Sequence, residues 1–369
     1  MTLHAKLSAS GAHRWMACPG SVNAESNYPN KSSSFAEEGT RAHELMEACL
    51  VNGVNAAELS IDEEMVNSVQ IYLDYVRSIW HDHLFIEKRV DFSQWIPGGF
   101  GTADTIAIKN DTIYIVDLKY GKGVRVDAER NPQAMLYALG AYAEYGFLKE
   151  FTTVKIAIIQ PRLDHISEWE LSVIDLLKWG EQASQAAAET ESPQAKRIPG
   201  EKQCRFCKAK ASCAALAAMT ENAIMADFEA LGEIQPPNKL TQERMAIVLR
   251  AKPLIEAWLS AVENEVKTVL AEGKEFPGFK LVEGRSNRKW IDDEITVSTQ
   301  LGSKLGEDLW TTKMITPTQA EKLLGKKGKA YLDGLVVKPR GIPTLAREDD
   351  PRPAIGSVEM NFNELLDED

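Results

Sequence analysis

The sequence predicts an α/β fold: a mixed sheet flanked by helices, followed by a mainly helical C-terminal appendage. Three observations predict it. Between residues 85 and 160, short β-branched runs separated by turn residues give a three-strand meander, a helix and a fourth strand. Amphipathic helical stretches precede and follow these runs. After Cys213 the strand signals fade, and Leu240–Glu272 reads as one long helical stretch.

The elements can be justified in order. Ser34–Leu50 reads as a helix, because a serine cluster precedes it, Glu37 and Glu38 suit its first turn, and Leu45, Met46 and Cys49 form an apolar stripe. Residues 62–80 read as a second helix. Phe85–Phe92, Thr102–Lys109 and Thr112–Lys119 read as strands, with Pro97-Gly98-Gly99 in a break. Pro132–Tyr145 reads as a helix, Thr153–Gln160 as a strand, Glu168–Leu171 as a short strand and Ile174–Thr190 as an Ala-rich helix. Ala214–Leu231 looks helical, and Gln235-Pro236-Pro237-Asn238 reads as a linker. Beyond Pro277-Gly278 the chain reads as irregular, with a frayed acidic end at Glu364–Asp369. This gives two expected regions, 1–217 with the site and 218–369 as an accessory region, helical and then irregular.

The bulk numbers narrow the class. The chain has 369 residues and is 44% hydrophobic, enough for an ordinary core. No run of about 18 apolar residues occurs, so no membrane span is expected. The N-terminal stretch does not read as a secretory signal, which makes a cytoplasmic location the expectation. A net charge of −12 argues against one broad basic surface, though not against local nucleic-acid contacts. Five cysteines, an odd number, in a chain without an export signal argue against a disulfide framework.

The chemistry gathers in a hairpin. With Asn110-Asp111 as a two-residue turn, Lys109 pairs with Thr112, and counting back along both strands sets Asp104 opposite Asp117. Opposed residues share a face about 4.5–5.5 Å apart, and Lys119, two positions on, shares it too. Two such carboxylates need a cation or a proton between them. A hard divalent ion with oxygen ligands meets that need. A turn longer by one residue would send the two aspartates to opposite faces.

Asp104, then Val116-Asp117-Leu118-Lys119, then Gln133-Ala-Met-Leu-Tyr137, with Gly39-Thr-Arg-Ala-His43 upstream, resembles the RecB-like branch of the PD-(D/E)XK nucleases. The four motifs occur in that family's order over roughly Leu7–Ala217. Taken alone, His43 reads as a core histidine, and Gln133 with Tyr137 as an ordinary amphipathic pair. The resemblance implies a restriction-endonuclease-like core and an Mg2+- or Mn2+-dependent deoxyribonuclease of the exonuclease type. It implies that His43, Asp104, Asp117 and the Leu118 carbonyl bind the metal. Lys119 would be the catalytic lysine, with Gln133 and Tyr137 orienting it or the DNA. Phage recombination or DNA end processing is the implied setting. No helicase P-loop is present, so unwinding would fall to a partner helicase or phage recombination protein.

Cys204-Arg-Phe-Cys207 and Cys213 make a compact thiolate set one ligand short of a tetrahedral site, and Cys18 is the obvious fourth. Spacing alone accepts zinc or an iron–sulfur cluster. This one-plus-three pattern is similar to nucleases of the same branch, the AddB-type subunits and CRISPR-associated exonucleases, and that similarity implies a [4Fe–4S] cluster stapling the N-terminal segment to the end of the domain. Cys49 reads as plain core.

Lys122, Arg125 and Arg130 follow the Asp-x-Lys strand, while Arg205, Phe206 and Lys208 lie among the cysteines. Both groups are candidate DNA contacts, as is the basic run Lys322, Lys326, Lys327 and Lys329. The segment Pro277–Trp290 is similar to the tail of a phage and prophage family. Two rivals remain at this stage: a non-cleaving DNA-binding or recombination-partner module, and a zinc-stapled structural phage protein.

Overall fold

A computed structural model describes residues 5–29, 34–225, 242–284, 289–291, 293–309, 314–337, 339, 343–347 and 352–355. The elements of the first part are α1 (Ala12–Trp15), α2 (Ser21–Glu25), α3 (Ser34–Asn52), α4 (Glu63–Ser78), β1 (His83–Asp91), β2 (Phe100–Lys109), β3 (Thr112–Leu118), α5 (Pro132–Tyr145), β4 (Thr153–Gln160), β5 (His165–Ser172), α6 (Val173–Thr190), α7 (Glu201–Arg205), α8 (Ala214–Met225) and α9 (Gln242–Ala271). Local chemistry starts the helices. Asp62 caps α4 by accepting from Met65 N, and Glu63 and Glu64 follow in its first turn. Asn131 caps α5 by accepting from Ala134 N, ahead of Pro132.

Five strands form one sheet in the order β1-β2-β3-β4-β5. All neighbours are antiparallel except β3 and β4, which run parallel and are joined by the α5 crossover. The two faces bury different partners. Ile113 and Ile115 of β3 join a core with α5 and α6, whereas Val116 and Leu118 join a second core with α3 and α4. Gly140 lets α5 sit close on β1, since a Cβ there would fall 2.8 Å from Val90. The expected mixed sheet flanked by helices is therefore present.

The chain divides into two compact units, Met1–Ala261 and Val262–Asp369. The boundary expected at 217/218 falls inside the first unit, because Leu254 of α9 packs with Cys204 and Leu216, and Trp258 lies against them. The second unit corrects the expectation of an irregular tail. It contains α10 (Glu294–Leu305), α11 (Pro317–Gly328, interrupted at Gly325) and two two-stranded sheets, β6 (Phe279–Glu283) with β9 (Pro343–Arg347) and β7 (Lys289–Trp290) with β8 (Val336–Val337). Val297, Leu301 and Leu305 recur at helical spacing and bury against Leu309, Ile315 and Ala320. That periodicity was legible and outweighs the Gly/Pro texture around it. The linker 235–238, the acidic end and the side chains of Lys322, Lys326, Lys327 and Lys329 lie outside the described residues.

Candidate metal and active site

The hairpin forms in the predicted register. Lys109 pairs with Thr112, and the ladder continues to Thr105 and Val116. Asn110 takes a positive φ of 51°, as the first position of a tight hairpin turn requires. One step further, the ladder gives way to a side chain: Asp104 Oδ2 accepts from Leu118 N at 2.7 Å. Asp104 and Asp117 are both buried.

A second irregularity lies opposite Asp104 on β1. Ile86 pairs with Thr105 and Lys88 with Ala103, so Glu87 stands across from Asp104. Glu87 has a φ of 46° in the middle of a strand, a conformation that costs a non-glycine residue on the order of 1–2 kcal/mol. The alternation of faces breaks there. Ile86 packs on the α3/α4 side and Val90 on the α5 side, although a regular strand would put them together. β2 breaks at the same level, since Ala103 and Ile106 both join the α5-side core. With both strands breaking together, the pairing on either side keeps one register. The distortion turns the Glu87 carboxylate toward Asp104, in the way strand irregularities re-aim side chains beside functional sites.

His43 reaches the same place from α3. Its Nδ1 lies 3.5 Å from Asp104 Oδ1 and 3.6 Å from Glu87 Oε1. Donor atoms of His43, Glu87 and Asp104 all fall within 4.8 Å of one another, the one such group among the described residues. Burial works against charge on His43, but its close approach to the Asp104 and Glu87 carboxylates, with the Asp104 and Asp117 charges, raises its pKa to about 10. Glu87 Oε1 is buried and makes no hydrogen bond. One imidazole nitrogen and two carboxylates suit a divalent cation.

His43 and Asp104 lie together, and Glu87, which the sequence reading did not include, lies with them. Asp117 pairs with Lys119, whose Nζ lies 2.7 Å from Asp117 Oδ2. Burial, with the Asp104 charge adding to it, holds Asp117 above the ordinary carboxylate range against the pull of Lys119. Burial also works against the Lys119 ammonium, and the Asp117 and Asp104 carboxylates together outweigh it, so the lysine pKa is raised. From Lys119 the contacts run on: Nζ donates to Gln133 Oε1 at 3.2 Å, and Gln133 Nε2 donates to Tyr137 Oη at 3.1 Å. Burial raises the Tyr137 pKa, so the phenol stays protonated. The spacing of the Gln-x-x-x-Tyr pair predicts this shared helix face.

Glu87 escaped the sequence reading because its role rests on a broken strand, which no periodicity reveals. One signal was available: extending the pairing from β2 to β1 sets a carboxylate across from Asp104. Tyr72 also escaped. It is fully buried on α4 and its hydroxyl lies 2.9 Å from Thr105 Oγ1 and 3.0 Å from the Val116 carbonyl oxygen, bracing the strands behind the aspartates.

Cys18, Cys204, Cys207 and Cys213 line one small cavity. Among the described residues, no three of their sulfurs meet the mutual 4.8 Å that His43, Glu87 and Asp104 satisfy. Ile198 N donates to Cys18 Sγ at 3.2 Å and Gly200 N to Cys204 Sγ at 3.4 Å. Burial pushes the Cys207 thiol up to about 11. The two ends of this region are joined by further contacts. Arg14 pairs with Glu25 at 2.9 Å, and Glu25 Oε1 accepts from Lys208 N at 2.8 Å. Gly20 N donates to Lys196 O at 2.9 Å, an approach too close for any Cβ at residue 20. Cys49 is core, as expected.

The candidate DNA contacts are less organised. Lys122 is engaged with Glu64 at 2.6 Å and Arg125 with Asp127 at 3.3 Å. Arg130, Arg205, Phe206 and Lys208 are exposed. Among the described residues, no helix is long and apolar enough to cross a membrane.

Fold and site together define a mixed α/β protein with a histidine–carboxylate group able to hold a cation beside an Asp-x-Lys strand. The chain belongs to the family described as Protein of unknown function (DUF2800), which matches residues 4–353. The solved structure of SSO0001 is similar at 15% identity over 62% of this chain and 86% of that one, with a TM-score of 0.23.

Proposed function

We propose that this protein is a divalent-cation-dependent deoxyribonuclease of the RecB-like PD-(D/E)XK type, acting as an exonuclease on DNA ends. One observation carries the reading. His43, Glu87 and Asp104 converge next to a continuous path from Asp117 through Lys119 and Gln133 to Tyr137. A structural role has no need of a half-buried lysine held between a carboxylate and an amide. The motif order His, Asp, Asp-x-Lys, Gln-x-x-x-Tyr supports the same assignment.

His43, Glu87 and Asp104 hold the cation, and their donor chemistry fits Mg2+ or Mn2+, with the nitrogen favouring Mn2+. The Glu87 oxygen without a hydrogen bond is a donor in waiting. Asp117 and the Leu118 carbonyl complete the set that the resemblance implies. The ion supplies charge neutralisation at the phosphate and lowers the pKa of nearby water. Leu118 N fixes the Asp104 carboxylate. Gln133 and Asp117 aim the Lys119 ammonium, which offsets negative charge as a phosphodiester oxygen develops it. Tyr137 holds Gln133 in turn.

We further propose that Cys18, Cys204, Cys207 and Cys213 hold a [4Fe–4S] cluster. Two backbone N–H groups directed at sulfur suit such a centre. A tetrahedral zinc site would draw the sulfurs to about 3.8 Å of one another, from Zn–S bonds of about 2.3 Å. Among the described residues, no three of the sulfurs lie within a mutual 4.8 Å, so that compact arrangement is not preformed.

Digestion of end-labelled single- and double-stranded DNA with Mg2+ or Mn2+ tests the assignment. Wild type is expected to degrade DNA, and Lys119→Ala and Asp117→Ala are not. Equal degradation by all three removes these residues from the reaction. Visible absorbance of protein purified without oxygen tests the cluster, and stoichiometric zinc with no visible band rejects it.

A further inference from the structure

The segment from Lys119 to Asn131 joins β3 to α5 and has no regular secondary structure. Its ends carry the two groups that meet, Lys119 at the start and Gln133 just past the end, 3.2 Å apart. A segment of this length has many conformations open to it. Something must hold it for the lysine and the amide to stay in register.

The holding group is the side chain of Gln160, at the end of β4. It is 2% exposed and spends its amide entirely on this segment. Its Oε1 accepts from Val126 N at 3.0 Å, and its Nε2 donates to Gly121 O at 3.0 Å and to Val124 O at 2.7 Å. The segment therefore wraps around one buried amide. Two residues of β5 extend the grip. His165, the cross-strand partner of Gln160, sets its Nε2 3.1 Å from Val126 O. Ser167 Oγ accepts from Ala128 N at 2.9 Å. The start of the segment is held separately: Lys119 N donates to Ile159 O, the Tyr120 ring lies under Arg162 at 4.6 Å, and Lys122 pairs with Glu64. Those contacts stop at residue 122.

We propose that Gln160 is a positioning residue for the site. It fixes the path of residues 121–128 and so sets the start of α5, with Gln133, against the separately held Lys119. A glutamine suits the position because it needs two donors and one acceptor on a single planar group. Glutamate would turn an oxygen toward two carbonyls, and leucine would leave three backbone groups without partners. The inference rests on the nuclease reading for its kinetic consequence, but not for its structural one.

The test compares wild type with Gln160→Leu in two measurements. Amide hydrogen exchange across residues 121–128 is expected to rise at least about tenfold, with exchange in β2 and β3 unchanged. Cleavage kinetics are expected to show kcat down at least about tenfold with KM within about twofold, because alignment is lost and not DNA affinity. Unchanged exchange overturns the proposal. So does unchanged kcat, including the case where KM rises alone, which would make the segment a DNA contact. Should Gln160→Leu fail to fold, Ser167→Ala, which removes one outlying bond, is expected to shift both readouts in the same direction by about threefold, and no shift in either overturns the proposal. A wild type that cleaves nothing refutes the nuclease reading, and exchange alone then decides the clamp.

Discussion

The two polar clusters of the first unit are built in opposite ways. The carboxylates of the histidine–carboxylate group sit on neighbouring strands tied by backbone ladders, and His43 reaches them from α3. The group concentrates like charge in a buried place and strains Glu87 to do so. The cysteine group draws Cys18 to residues near the end of α6 and beyond, and surrounds the sulfurs with contacts that hold two remote stretches together. On the proposed reading, the first cluster accepts backbone strain at Glu87 for the sake of chemistry, while the second holds the fold together and its loss should spread. Stability is sacrificed where groups must bind something absent from the protein itself.

The sharpest way to break this contrast is Asp104→Asn. Cleavage should fall by about 10³-fold or more, in the range of lost catalytic and cation-binding groups. In chelator above about pH 10, where His43 has lost its proton, the melting temperature should hold or rise, because a buried like-charge contact is relieved. A fall of several degrees would show that the carboxylates support the fold. Next in size is Cys18→Ala, which should lower the melting temperature of the anaerobically purified protein by roughly 10 °C. Cys49→Ala, a plain core truncation, should cost less than half of that. Equal effects would erase the distinction between stapling and packing cysteines.

Smaller effects sharpen the comparison. Glu87→Gly removes both the strained φ and a carboxylate. In chelator it should stabilise by about 1 kcal/mol, read from urea unfolding. With Mn2+ the advantage should reverse, since the variant has lost a ligand. Stabilisation that persists with Mn2+ would exclude Glu87 from the cation site. The smallest effect concerns His43, whose folded pKa of about 10 exceeds its unfolded value of about 6.5. Its contribution in the cation-free protein is therefore complete below pH 6.5 and is lost as pH rises through about 10. A His43→Gln variant should show a flatter decline in stability over that window. An identical decline would mean that His43 does not gain a proton on folding.

Much of the site was legible. A two-residue turn at Asn110-Asp111, the alternation of Ile106, Ile108, Ile113 and Ile115, and the i, i+4 spacing of Gln133 and Tyr137 all follow from local rules, and each places a side chain without knowledge of the rest. The cysteines were legible as types and spacings, but not how far apart their sulfurs stand. The order of helices and strands was likewise available, whereas the short helices α1, α2 and α7 were not, since four- or five-residue turns carry too little periodicity to read.

What the sequence by itself determined is the hairpin register, the identity of the Asp-x-Lys strand and the helix that brings Gln133 and Tyr137. These rest on interactions between residues close in the chain. Only the tertiary structure decided that Glu87 lies beside His43 and Asp104, that Asp117 pairs with Lys119, and that Gln160 bonds the connecting segment. Each of those depends on strands or loops meeting across the fold. Burial there raises the cost of an unpaired polar group, and so dictates which partners must meet.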